Sequence, residues 1–260
     1  MATKKKLIQL SLKNAKSYRI ERLDQIKITD PEKHSKRIMN KLKNDLRMSI
    51  DPMHIECFDN SNIQGSNPTA SCVVFKNLKP KKSEYRHFKI NSVQGVDDYK
   101  SMEEVISRRY KSLIKTNESL PQLIVIDGGK GQLSSAMKSL MVLGLDKKIT
   151  IIAIAKRLEE IFFPEDPIPL YLDKKSETLK IIQQIRNEAH RFAINLHRKI
   201  RNKNSISSIL DEISGVGPKT KIKLLNKFKS LKRVKEASKK DLIELLGNKM
   251  GKIIFEKFVK

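Results

Sequence analysis

The chain has 260 residues, enough to bury a sizeable core and to hold one large domain with smaller parts. A formal net charge of +25 and a pI near 10.0 favour a polyanionic partner, nucleic acid first, although 41 Lys against 13 Arg indicates a lysine-biased background that supplies part of the charge. Two cysteines without a CxxC pair exclude a disulfide framework and weigh against a thiolate zinc site. With no signal peptide and no apolar run near ~18 residues, the expectation is a soluble, cytoplasmic protein without membrane contact.

Residues 3–48 are polar and helix-prone, with sparse apolar positions at Leu7, Leu10, Ala15, Tyr18 and Leu23, and Pro31 breaks the run. They predict two helices, a segment over 1–50 that encloses no core of its own. The pattern changes at Asp51-Pro52. His54–Asp59, Ala70–Phe75 and Tyr85–Ile90 read as three short strands, with Cys57 and Cys72 as small core residues. Turn residues at 64–68 and 77–83 separate them, and connections this short favour antiparallel neighbours. Met102, Val105, Ile106, Tyr110, Leu113 and Ile114 then keep helical spacing, with Ser101 as the expected cap.

Leu123-Ile-Val-Ile126 reads as a buried strand that runs into Asp127, after which Gly128, Gly129 and Gly131 open a helix. A carboxylate at the C-terminal edge of a core strand lies where α/β sheets place ligands and chemistry. The bare glycine backbone would let a phosphate approach, with Lys130 beside it, while Asp followed by two glycines is also a common turn. The helix carries Leu133, Ala136, Met137, Leu140 and Met141. A further strand covers Ile149–Ala155, a proline-rich loop 164–169, and a long helix about Ser176–Arg201. Three antiparallel strands, helix, strand, helix, strand, helix is the element order of an RNase H-like fold: α/β, a mixed sheet flanked by helices. In that fold acidic residues stand on the first strand and at the end of the fourth, here Asp59 and Asp127.

Two carboxylates on neighbouring strands suit Mg²⁺ or Mn²⁺, hard cations that take oxygen ligands and keep positions open for water and phosphate. His190 is the expected third member, as ligand or proton carrier. It shares a polar stripe with Gln183, Arg186 and His197 beside the apolar face of the long helix. The alternative for His190 is a half-buried surface histidine. Asp98, in the pair Asp97-Asp98 before the first long helix, is a further candidate, though the helix dipole explains an acidic pair there equally well.

The stretch 201–260 carries 16 basic against 6 acidic residues. Within it, Leu210–Thr220 matches a helix-hairpin-helix pattern. Gly215, Val216 and Gly217 would present backbone N–H groups to a DNA phosphate, and Lys219 and Lys221 would add charge. A second, degenerate copy at Leu242–Gly251 keeps Gly247 but has Lys249 in place of the second glycine. The domains expected are 1–50 (helical segment), 51–203 (RNase H-like) and 206–260 (small, all-α, tandem helix-hairpin-helix).

Taken together, Ile55–Asp59, Gln64-Gly65, Ala70–Phe75, Asp97–Tyr99, Arg108–Tyr110, Ile126–Leu133, Arg186–His190, His197-Arg198 and Gly215–Lys219 resemble the C-terminal half of the UvrC excinuclease family of bacterial nucleotide excision repair. The resemblance implies a metal-dependent endonuclease that makes the incision 5′ of a lesion in double-stranded DNA. It carries over Asp59, Asp127 and His190 as the catalytic trio and Asp98 as a contributing acid, with UvrB as partner and UvrA upstream. Many relatives have Ile-Ser-His after the first aspartate, whereas this chain has Asn60-Ser61-Asn62, so a histidine there is missing. The family's N-terminal GIY-YIG nuclease and its main UvrB-binding segment have no counterpart in this sequence, so the chain alone is expected to lack the 3′ incision and that contact. The rival readings are a non-catalytic duplex-binding module and an RNase H-like nuclease with another substrate.

Overall fold

The computed structural model describes residues 2–63, 66–92, 97–155, 158–211, 213, 215–228 and 231–258, apart from the side chains of 2–3, 27–28, 61–63, 66–67, 197–211, 225 and 231. Gln64-Gly65 and the His197 side chain therefore lie outside the described residues. In chain order the elements are α1 (Ala2–Thr29), α2 (Pro31–Asp45), β1 (His54–Ile63), β2 (Ser66–Lys76), β3 (Lys79–Pro80), β4 (Arg86–Lys89), α3 (Asp98–Thr116), β5 (Leu123–Asp127), α4 (Lys130–Val142), β6 (Thr150–Ile154), β7 (Ile161–Phe162) and α5 (Glu177–Asp211). Four shorter helices follow: α6 (Pro218–Phe228), α7 (Leu231–Lys235), α8 (Lys239–Leu246) and α9 (Asn248–Phe258). The chain divides into two compact units, 1–193 and 194–260.

The first unit is a mixed sheet of strand order β3-β2-β1-β5-β6-β7, with β4 also on β2. β1 and β2 are antiparallel, as are β2 and β4, while β1–β5 and β5–β6 are parallel. The two-residue strands β3 and β7 are too short to leave a period in the sequence and are not expected from it. The third predicted strand shortens to Arg86–Lys89. α3 starts earlier than expected: Asp97, not Ser101, caps it by accepting from the amides of Tyr99 (3.1 Å) and Lys100 (2.9 Å). α5 runs on beyond Arg201 to Asp211.

Alternation along β1 decides what each face meets. Glu56, Phe58 and Asn60 turn to α3: Glu56 bonds Arg109 and Tyr110, Phe58 lies against the Tyr110 ring, and Asn60 donates to the Asp98 carbonyl at 2.9 Å. Asp59 turns to the other face, where α5 lies. There Ser71, the cross-strand partner of Asp59, donates to the Ala189 carbonyl at 3.2 Å. Phe192 of α5 is held between Tyr85, edge-on at 5.0 Å, and His87, stacked at 3.8 Å. Leu179, Ile182, Ile185 and Ala189, all buried, form the docking stripe of α5.

The two N-terminal helices part company. α1 stays exposed along Leu7, Leu10 and Tyr18. α2 does not stand apart: Leu42, Leu46 and Met48 join the main core, and Arg37 makes a two-pronged ion pair with Glu177 at the start of α5. The second unit has a small core of its own from Ile213, Val216, Leu224, Val234, Leu242 and Ile254.

Glu56 is the most demanding group in the main core, a fully buried carboxylate on a central strand. Arg109 Nε donates to it at 3.1 Å and Tyr110 Oη at 2.9 Å, while His54 Nε2 lies 3.4 Å away. Burial pulls the carboxyl upward, but hydrogen bonds and charge from His54 and Arg109 outweigh it and hold the group below its ordinary range. Glu56→Ala strands the Arg109 guanidinium and should cost about 3–5 kcal/mol in urea unfolding. Because the folded carboxyl is depressed, its contribution is present above its unfolded value and lost as pH falls through the folded one. Equal acid sensitivity in the wild type and the variant would contradict this role.

Candidate metal centre

Parallel pairing of β1 with β5 sets Asp59 directly opposite Asp127, at the end of the ladder. Both are nearly buried, at 2% and 4% exposure. His190 reaches the same point from α5: its Nδ1 lies 3.0 Å from Asp59 Oδ2, with about half of the side chain exposed. One ligand atom from each of the three falls within 4.8 Å of the other two, the one such cluster among the described residues. Two buried carboxylate oxygens and an imidazole nitrogen, exposed on the His190 side, are a donor set that fits a hard or borderline divalent cation.

Cys57 lies on the same strand face, two residues before Asp59. Burial drives its thiol well above the usual value, and the charges of Asp127 and Asp59 push in the same direction. It is a packing residue, as is Cys72, whose thiol burial also raises.

The remaining expected residues sit around this centre without joining the cluster. Asp98 is in the first turn of α3, its carbonyl tied to Asn60 on β1. Asn60 thus links the strand that carries Asp59 to the helix that carries Asp98. Lys130 is drawn away: its ammonium donates to the Pro167 carbonyl at 2.7 Å and lies 5.1 Å over the Phe162 ring. The glycines after Asp127 have intramolecular reasons. A Cβ on Gly131 would come within 2.4 Å of the Tyr99 ring, and one on Gly128 would collide with the Gln132 side chain. Arg186, one turn before His190 on α5, is mostly buried. It donates to Asn187 Oδ1 at 3.1 Å, and its Nη1 has no hydrogen-bond partner among the described residues.

In the second unit Gly215 and Gly247 both have positive φ, +85° and +84°, each shortly before a helix. A φ in this range is one that side-chain-bearing residues rarely adopt, which explains glycine at both positions. The Val216 amide donates to the Ile213 carbonyl at 3.1 Å and its side chain is buried, so this residue serves the turn and the core. Gly217 and Lys219 are exposed. Gly251 has a packing reason: a Cβ there would meet the Ile243 backbone at 2.6 Å.

A family model described as UvrC RNAse H endonuclease domain matches residues 43–194, and one for a SAM-like helix-hairpin-helix tandem matches 207–256. Proteins named UvrABC system protein C from Christiangramia forsetii (59% identical over 98% of this chain and 42% of that one) and Flavobacterium psychrophilum (58%, over 100% and 43%) are similar to it. The chain thus spans about two fifths of the length of these curated relatives. Among solved structures, a complex of Ciona intestinalis Endonuclease V with an inosine-containing DNA shows 20% identity and a TM-score of 0.32, over 63% of this chain and 69% of that one, a likeness too loose to carry an argument. No helix among the described residues is long and apolar enough to cross a membrane.

Both thiols should resist iodoacetamide in the native protein and react only on unfolding. Rapid native labelling of Cys57 would contradict its position behind the two aspartates.

Proposed function

This chain belongs to the UvrC RNase H endonuclease family, and from that premise we propose that it is a metal-dependent DNA endonuclease which hydrolyses a phosphodiester on the 5′ side of a lesion during nucleotide excision repair. The observation that carries the reading is the convergence of Asp59, Asp127 and His190 within 4.8 Å at the C-terminal ends of two parallel strands. These three residues would hold Mg²⁺ or Mn²⁺. A divalent cation bound there supplies Lewis-acid charge that favours ionisation of a water and offsets charge on the phosphate.

The protein's own residues divide the remaining work. Asp59 and Asp127, fixed by the sheet, keep two negative charges at one point without side-chain motion. His190, half exposed, completes the site as a ligand or, when off the metal, as a carrier of a proton between the site and solvent. Asp98 adds acidity at the rim. The Arg186 guanidinium, one turn from His190, contributes positive charge near the phosphate. Hydrolysis adds water across one P–O bond: the water oxygen bonds phosphorus and the departing oxygen takes a proton.

Residues 51–203 act as the nuclease and 206–260 as a duplex-binding domain, in which the exposed amide of Gly217 and the Lys219 side chain contact phosphates without reading sequence. The substrate is damaged double-stranded DNA and the partner UvrB, with UvrA earlier in the pathway; the compartment is the cytoplasm.

On a bubble-containing duplex with Mn²⁺, Asp59→Asn, Asp127→Asn or His190→Ala should lower nicking roughly 10³-fold or more while leaving DNA affinity nearly unchanged. EDTA should abolish cutting. Undiminished cutting by Asp127→Asn would refute the catalytic assignment. A wild type that binds but never cuts, with or without UvrB, would favour the non-catalytic module, and a preference for RNA–DNA hybrid would favour the other nuclease reading. Gly215→Val cannot keep φ +85° without strain, so it should weaken DNA binding and leave the 1–193 unit folded. Binding should also fall steeply with salt, as phosphate contacts release counterions.

A further inference from the structure

Tyr99 is a large aromatic left in the open: 58% of it is exposed, in the first turn of α3, next to Asp98. It is not loose. Its ring edge (Cε1, Cζ and Oη) lies over Gly131, at distances of 2.4–2.8 Å from where a Cβ would be, so any larger residue at 131 would displace it. Asp97 accepts from the Tyr99 amide, which fixes the backbone beneath the ring. The ring therefore bridges the helix that carries Asp98 and the first turn of α4, shortly after Asp127.

Tyr99 also lines a cleft of about 500 Å³, together with Asp97, Asp98, Gly129, Gly131 and Gln132. The charge of this cleft selects its occupant. Two carboxylates disfavour a phosphate, so the sugar-phosphate chain does not fit, whereas a neutral planar group does. An aromatic ring held in place, an amide side chain and bare glycine backbone suit a nucleobase, by stacking and hydrogen bonding. In paired DNA the base faces are covered by neighbouring bases, so only an unpaired base presents one.

We propose that Tyr99 is a stacking platform for an unpaired base beside the incision point, which gives the chain its preference for locally melted over fully paired DNA. The inference rests on the DNA endonuclease reading for its substrate but makes no use of cutting.

The test measures affinity of the whole chain, in EDTA, for two duplexes of equal length: one fully paired, one with a short unpaired run that contains 2-aminopurine. The hairpin unit, present throughout, serves as the internal control. Tyr99→Ala should weaken binding to the unpaired substrate roughly 5- to 150-fold, the factor equivalent to ~1–3 kcal/mol of base stacking. Its affinity for the paired duplex should not change. Tyr99→Phe should retain the preference, and quenching of 2-aminopurine should persist with Phe and vanish with Ala. Equal losses on both substrates, no loss on either, or quenching that survives in Tyr99→Ala would overturn the proposal. Wild-type protein that shows the preference and the quenching, yet never nicks with Mn²⁺, with or without UvrB, would refute the nuclease reading and leave the stacking platform standing.

Discussion

Asp59 faces Asp127 across a parallel ladder, and that register governs everything around it. Neighbouring strands lie only about 4.8 Å apart, so two carboxylates on one face at paired positions are forced close together. Such a pair repels itself, and a bound cation would relieve it. A slip of one residue in β1 would send Asp59 to the α3 face and Glu56 to the α5 face, which would destroy both the Asp59–Asp127 pair and the buried ion pair. The two features thus enforce a single register. Burying Glu56 anywhere but against Arg109 and Tyr110 is costly, and this fixes the strand that presents Asp59.

The helices complete what the sheet begins. On one face, Glu56, Phe58 and Asn60 bind α3 and set its N-terminus, with Asp98 and Tyr99, at the edge where β1 and β5 end. On the other, Ser71 and the Tyr85–Phe192–His87 stack set the height and rotation of α5, and with them the position of His190. α2 buttresses the start of that helix through Arg37 and Glu177. The site is therefore assembled around one two-faced strand, with α3 on one side and α5 on the other.

Much of this is legible in the sequence because the signals are local. Strands β1, β2, β5 and β6 show as apolar runs, the α3, α4 and α5 stripes as helical spacing, and the carboxylate at the end of β5 as Asp followed by glycines. The glycine pattern around Gly215 likewise points to a hairpin, and its φ of +85° meets that need. What escapes is pairwise and distant. The Glu56–Arg109 ion pair joins residues 53 apart, and in a strand-like run Glu56 looks like any polar alternation. The seat of Tyr99 on Gly131 and the Asn60–Asp98 link have no period at all. The cap of α3 is misread because Asp97 and Ser101 are both competent, and only the backbone of the helix start distinguishes them. Lys130 is expected at a phosphate; a carbonyl and an aromatic ring nearby hold it instead.

Mn²⁺ binding by the intact chain, followed by calorimetry in wild type and Asp127→Asn, tests the central claim most directly. The account predicts saturable binding that the substitution removes while the fold, judged by thermal unfolding, persists. Binding that is absent from wild type, or unchanged in Asp127→Asn, would contradict the view that the Asp59–Asp127 register exists to hold a metal.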